Sequence, residues 1–232
     1  MKSEAMINRD KPLFADMEYY LLTETGSVLY DSETALLVKD DRAPVYMLAA
    51  DDVEEGKRII DGIEEETYHL VVRGDNLVEY CREKGFRVSE PCTQVVYGKK
   101  ELLDESGELE IRHPSEEDFP SVLATYSLLG EEGLRETFES DDFFGGYVDG
   151  KFVCYGGLHE EGALGLLHVF EDYRGRGYAN QIASFLINRQ VKLGRIPYGQ
   201  VFVSNAASLG LQKKLGMTFS EGTICWTHKE RK

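Results

Sequence analysis

An apolar run at residues 164–170 leads through the Gly-rich Tyr173-Arg174-Gly175-Arg176-Gly177-Tyr178-Ala179 into a long amphipathic pattern carried by Ile182, Phe185, Leu186 and Leu193. No other stretch limits the possible folds of this chain so tightly. It reads as a buried strand, a tight turn and a helix in direct succession. Such a junction leaves backbone N–H groups without intrahelical acceptors at the positive end of a helix dipole, which is where an anion binds. Gly175 and Gly177 carry no Cβ to hold that anion away from the main chain.

Charge sharpens the reading. Residues 173–220 contain no Asp or Glu but include Arg174, Arg176, Arg189, Lys192, Arg195, Lys213 and Lys214, in a chain of formal net charge -16. A cationic window in an acidic chain points to a compact polyanionic ligand. Nucleic acid is not expected as a partner, because phosphate-backbone binding needs a broad basic surface. Two nucleotide loops are excluded as well: there is no G-x-x-x-x-G-K-[ST], and the apolar run is not followed by G-x-G-x-x-G. A dinucleotide fold would also want an acidic residue about 20 positions on, inside the acid-free window.

The spacing Arg174, Gly177, Ala179 resembles the acyl-CoA loop of the GNAT superfamily of N-acyltransferases. Downstream, Val201-Phe202-Val203-Ser204-Asn205-Ala206-Ala207-Ser208 and then Leu211-Gln212-Lys213-Lys214-Leu215-Gly216-Met217 are similar to that family's second cofactor motif. The resemblance covers roughly residues 109–228. It implies acetyl-CoA or another acyl-CoA as co-substrate, no metal, and transfer of the acetyl group to the amine of a small molecule. It also implies that the backbone of Arg174, Gly175, Arg176, Gly177, Tyr178 and Ala179 holds the pyrophosphate. The strand edge at His168, Val169 and Phe170 would pair with the pantetheine arm, and an N–H near Val169 would polarise the thioester carbonyl. Asn205 would contact the pantetheine, with Ser208 or Lys213 reaching the adenosine end.

The catalytic groups are less determined by the resemblance. The family's carboxylate base falls at Ala163 here, so the candidates are Glu161, which shares that face if the strand extends so far, and His168. The family's Tyr acid is replaced by Gln212, and water or a Tyr such as Tyr178 would have to substitute. The Leu-Gln-Lys-Lys-Leu-Gly wording, with Arg195-Ile196-Pro197-Tyr198 before it, looks most like the glycine N-acyltransferase branch, which implies an amino acid or similar amine as acceptor. The alternative is a catalytically silent CoA-binding sensor or scaffold, a reading that Gln212 and Ala163 favour.

At 232 residues and 42% hydrophobic content the chain can build two small cores. Short apolar runs at residues 18–22, 28–30, 35–38, 45–49 and 69–72 read as strands, with a helix opening at Asp51 or Asp52. A polar joint at residues 99–107 precedes the second half. The halves repeat: Leu70-Val71-Val72, a helix, then Gly85-Phe86-Arg87-Val88-Ser89-Glu90 parallels Val201-Phe202-Val203, a helix, then Gly216-Met217-Thr218-Phe219-Ser220-Glu221. The expected fold is α/β with an α+β mixed sheet, in two tandem GNAT-like units. Residues 1–105 form a degenerate first unit, and residues 106–232 form the acyl-CoA-binding catalytic domain.

In the first copy the loop position holds Ala50-Asp51-Asp52-Val53-Glu54-Glu55-Gly56, whose carboxylates would repel a pyrophosphate by about 1 kcal/mol or more per close pair. Cys81, Cys92, Cys154 and Cys225 lack metal or redox spacing and sit in apolar patterns, as buried thiols do. No apolar run suits a membrane span or a signal peptide, so the expected setting is the cytoplasm, away from membranes, as a monomer or homodimer.

Overall fold

The computed structural model describes residues 1–230. The first half of the chain forms α1 (Glu4–Ile7), α2 (Ala15–Leu22), β1 (Gly26–Asp31), β2 (Ala35–Asp40) and β3 (Val45–Ala50). These are followed by α3 (Val53–Asp61), β4 (Tyr68–Arg73), α4 (Asp75–Glu83), β5 (Arg87–Val88) and β6 (Cys92–Val96). The second half begins with β7 (Glu110–Arg112), α5 (Phe119–Thr125), α6 (Glu131–Phe138), β8 (Phe143–Val148), β9 (Lys151–Leu158) and β10 (Leu164–Val169). It ends with α7 (Tyr178–Lys192), β11 (Tyr198–Phe202), α8 (Ala206–Lys214) and β12 (Thr218–Lys229).

These elements make two compact units whose membership differs from a linear cut between residues 105 and 106. One comprises Met1–Val96, Gln200–Leu209 and the chain from Thr218; the other comprises Tyr97–Gly199 and Gly210–Met217. Strand pairing is the reason. β12 runs antiparallel to both β4 and β6, with Cys225 opposite Val72 and Phe219 opposite Val95, so the last strand of the chain completes the N-terminal unit's sheet.

In the N-terminal unit β1, β2 and β3 form an antiparallel meander, and α3 carries the chain over to β4, parallel to β3. The strands are apolar on both faces because both are covered. Leu37, Leu48, Leu70 and Val72 pack with Ile60 of α3 and Leu77 and Cys81 of α4, while Leu36, Val38, Met47 and Val71 pack with Phe14, Met17 and Tyr20. Residues 18–22, which read as a strand, belong to α2: a short apolar run has no period that separates strand from helix. β12 is a single strand with an irregular register between Phe219 and Thr223. The Asp10 carboxylate holds that bulge by accepting from the backbone N–H groups of Glu221 (2.8 Å) and Gly222 (3.0 Å).

The second unit repeats the order of elements. β7, β8, β9 and β10 are antiparallel neighbours, and α7 crosses from β10 to the parallel β11. The β8–β9 hairpin turns on Asp149 (φ 49°) and Gly150 (φ 74°), the positive pair a two-residue turn requires. On one face, Tyr178 and Ile182 of α7 cover Val153 and Cys154. On the other, Phe119, Val122, Leu134 and Phe138 of α5 and α6 cover Phe143, Tyr155 and Leu166. The helix entry at Ser115 carries a capping box, the Asp118 carboxylate accepting from Ser115 N–H at 2.9 Å.

Residues 99–107 are not a free joint but are strapped along α7. The buried Asn188 amide accepts from Leu103 N–H (2.8 Å) and donates to Leu103 C=O (2.9 Å), pairing as a backbone strand would. All four cysteines are buried free thiols, and burial pushes Cys92 and Cys154 up to about 12. Among the described residues no helix is long and apolar enough to cross a membrane.

Candidate functional site

The site is built where β10 ends and α7 begins, inside the second unit. β10 is not a uniform strand. Its register with β9 shifts between Gly165 and His168, and Leu166 sits at φ 53°, a left-handed conformation that a leucine adopts only at a cost of about 1–2 kcal/mol. Leu166 is held there by burial, with 3% of its surface exposed among Phe119, Val122 and Tyr155. On its other edge, β10 pairs with β11 only at Leu164 opposite Gly199 among the described residues. From Gly165 to Val169 the strand therefore offers main-chain groups on that edge to something other than a strand.

Beyond Val169, a turn at Glu171–Tyr173 precedes the Gly loop. Gly175 (φ 78°) and Gly177 (φ 85°) both take left-handed geometry, and Gly177 is the N-cap of α7. A Cβ at Gly175 would meet no atom within 4 Å, so that glycine is required by backbone conformation and not by crowding. None of the backbone N–H groups of residues 175–179 has an acceptor among the described residues, and no side chain caps the helix. The first turn of α7 holds no acidic residue. Around the loop, Arg174 Nε donates to Val169 C=O (3.1 Å) and Arg176 to Asp172 C=O (3.2 Å). Among the described residues neither guanidinium pairs with a carboxylate, so their charge adds to the dipole.

The corresponding helix entry in the N-terminal unit is electrostatically opposite. Asp52 caps α3 by accepting from Glu55 N–H (2.9 Å), and Asp51 is paired with Arg9. Glu55 accepts from Tyr30 (2.8 Å), Ser32 (3.0 Å) and Thr34. The amides and charge that an anion would use there are met by the chain itself.

The remaining predicted residues are dispersed. His168 is half-buried on β10, its ring 5.4 Å from that of Tyr155 and nearly parallel to it. Burial, then the Arg174 charge, lower its pKa and so favour the neutral imidazole. Phe170 follows the strand, its N–H donating to Val153 C=O. Glu161 lies in the turn before β10, which begins only at Leu164, so the face it was expected to share through strand periodicity does not reach it; its carbonyl accepts from Tyr198 Oη (2.6 Å). Tyr178 contributes its N–H to the loop, but its side chain is 2% exposed and its hydroxyl is held by Glu108, which raises its pKa. That engagement removes it as a substitute acid.

Lys213 is exposed on α8 within the second unit. Asn205 and Ser208 belong to the N-terminal unit, where the Asn205 side chain accepts from Ser208 N–H (3.0 Å) and opens α8. Part of the acid-free window is structural: Arg189 pairs with Asp142 (3.1 Å) and Lys192 with Glu105 (3.5 Å). The β10 bulge was missed by the sequence reading. Gly165 inside an apolar strand was its one available signal.

A family model described as FR47-like protein matches residues 157–227, a span running from the end of β9 through β12 and containing the whole of this site. Among solved structures, a putative acetyltransferase of the GNAT family from Novosphingobium aromaticivorans is 19% identical, covers 95% of this chain and 97% of its own, and superposes with a TM-score of 0.56. A GCN5-related N-acetyltransferase from Kribbella flavida is 10% identical with 94% of each chain covered and a TM-score of 0.59. The fold is the GNAT fold. A Drosophila protein of 16% identity, covering 84% of this chain and 74% of its own, reaches a TM-score of 0.63. No curated protein matches. The bulged strand β10, the loop at residues 174–179 and the N-terminus of α7 are contiguous in the chain and belong to one unit.

Proposed function

We propose that this protein transfers an acetyl or other acyl group from acyl-CoA to the amine of a small molecule, and that the second unit binds the donor. The observation that carries the reading is the run of acceptor-free amides at residues 175–179, set at the α7 dipole and beside two guanidiniums without carboxylate partners. A diphosphate supplies the acceptors and the charge these groups lack. The open edge of β10 beyond Leu164 suits an amide-bearing pantetheine arm, which would add itself as a short strand along His168, Val169 and Phe170. An amino acid is the acceptor class that the sequence resemblance favours. Lys213, in the same unit, is proposed as a further donor contact, and the cytoplasm as the setting.

Titration calorimetry with acetyl-CoA tests this. The wild type should bind, and Gly177→Val, which forces a β-branched residue to φ 85°, should weaken binding by more than about tenfold while the far-UV CD spectrum stays unchanged. A wild type that gives no heat with acetyl-CoA at high micromolar concentration ends the proposal.

A further inference from the structure

On the α5 and α6 face of the β10 bulge, two polar side chains take no part in gripping a diphosphate. His159 is the first residue after β9, and its backbone N–H is tied to Ala163 C=O at 2.9 Å. Its imidazole lies directly on Gly165, where any Cβ would collide with Nε2. Tyr126 ends α5, with its ring centroid 6.5 Å from that of His159. The Tyr126 hydroxyl is buried and has no hydrogen-bond partner among the described residues. Leaving such a group unmet costs about 1–3 kcal/mol, a cost removed when a bound molecule supplies the acceptor.

We propose that His159 is the catalytic base, carrying a proton from the acceptor amine to the leaving sulfur, and that Tyr126 donates a hydrogen bond to the oxygen that becomes negative. The inference rests on the acyl-transfer reading. The amine nitrogen attacks the thioester carbonyl carbon, forming the C–N bond as the imidazole takes an N–H proton. Collapse of the tetrahedral adduct breaks the C–S bond, and the imidazolium gives that proton to the thiolate. Acetyl-CoA and an amine enter, and amide and CoA leave, so no other reactant is needed.

His168 is a weaker base candidate because its ring is packed against Tyr155 and Phe170. Glu160 and Glu161 share the turn with His159, Tyr126 directly follows α5, and β9 carries Tyr155 as well as Lys151 and Cys154. Burial, and then the Glu161 charge, hold the Tyr126 phenol above its usual range, so it keeps the proton it would donate.

The test uses the whole chain, acetyl-CoA, and thiol release over a panel of amino acids and small amines, with binding measured alongside. His159→Gln should lower kcat by about 100-fold or more and abolish the acid-side limb of the kcat/KM profile, with the acetyl-CoA Kd changed less than about twofold. Tyr126→Phe should lower kcat by about 100-fold with the pH profile intact. Gly165→Ala displaces the imidazole without deleting it and should cost activity in the wild type but add little to His159→Gln. If His159→Gln does not fold, the Gly165→Ala result carries the decision.

A kcat for His159→Gln within about threefold of wild type overturns the assignment. So does a wild type that binds acetyl-CoA yet releases no thiol with any amine. Absence of acetyl-CoA binding by the wild type is a separate failure, and it removes the acyl-transfer reading itself.

Discussion

Asp16 and Arg73 face each other with 2% and 4% of their side chains exposed, one from α2 and the other from the end of β4. Two buried charges are tolerated because the surrounding polar groups converge on them. Arg73 Nε also donates to Leu13 C=O (2.9 Å), and the Gln94 side-chain amide donates to Leu13 C=O (2.6 Å) and to Asp16 (3.1 Å). Taking one partner away leaves a buried charge without its counter-charge. Arg73→Met should therefore destabilise the protein by about 3–5 kcal/mol, and Asp16→Leu combined with Arg73→Met should recover much of that loss. Urea unfolding of the single and double variants checks it; a fully additive double variant would mean the pair is not coupled. Nothing along the chain marks this pair, because its members are 57 positions apart and joined only by pairing of distant elements.

At the scale of elements, α7 does two separate jobs with its two ends. Its N-terminus leaves amides open, and its C-terminal half clamps residues 99–107 through Asn188, assisted by Lys192 and Glu105 (3.5 Å). Gln181 extends the clamp by accepting from Leu109 N–H (3.2 Å). Asn188→Leu should cost about 2–3 kcal/mol through the unmet backbone of Leu103, and it should release the strap to limited proteolysis ahead of global unfolding. Equal cleavage rates in wild type and variant would show that the strap is held by something else. The strap looked like a linker in the sequence because its composition is polar. The backbone bonds of Leu103 go to one buried amide, and composition carries no record of that.

For the whole molecule, acid is the revealing variable. In the N-terminal unit, Thr34, Tyr30 and Ser32 donors hold the Glu55 pKa low, Lys84 and Tyr80 do the same for Asp61, and Lys39 and Tyr46 bring Glu65 down to about 2. Each folded pKa lies below its unfolded value, so the stability these groups supply is present above the ordinary carboxylate range. It is lost as pH falls through the folded values. Because the three are partly exposed, each contributes about 1 kcal/mol or less at ordinary salt. Stability should decline from about pH 4.5 towards pH 2, and Glu65→Gln should flatten that decline while lowering stability at neutral pH. Denaturant midpoints across this range decide it; an unchanged slope in the variant would show that Glu65 is no better paired in the folded state than in the unfolded one.

What the residues alone determined was local: the strand, Gly turn and helix at residues 164–193, the helix opening at Asp51 or Asp52 and the repeated order of elements. Each follows from side-chain period, Cβ sterics or caps within a few residues, all of which are written along the chain. Tertiary structure decided what depends on partners far away in sequence. Pairing of β12 with β4 and β6 drew the end of the chain into the first unit. Burial beside α5 holds Leu166 in the bulge, and His159 and Tyr126, from separate segments, meet next to it. Period and propensity do not encode these outcomes, because the energy that fixes them arises only when surfaces from separate segments are desolvated against one another.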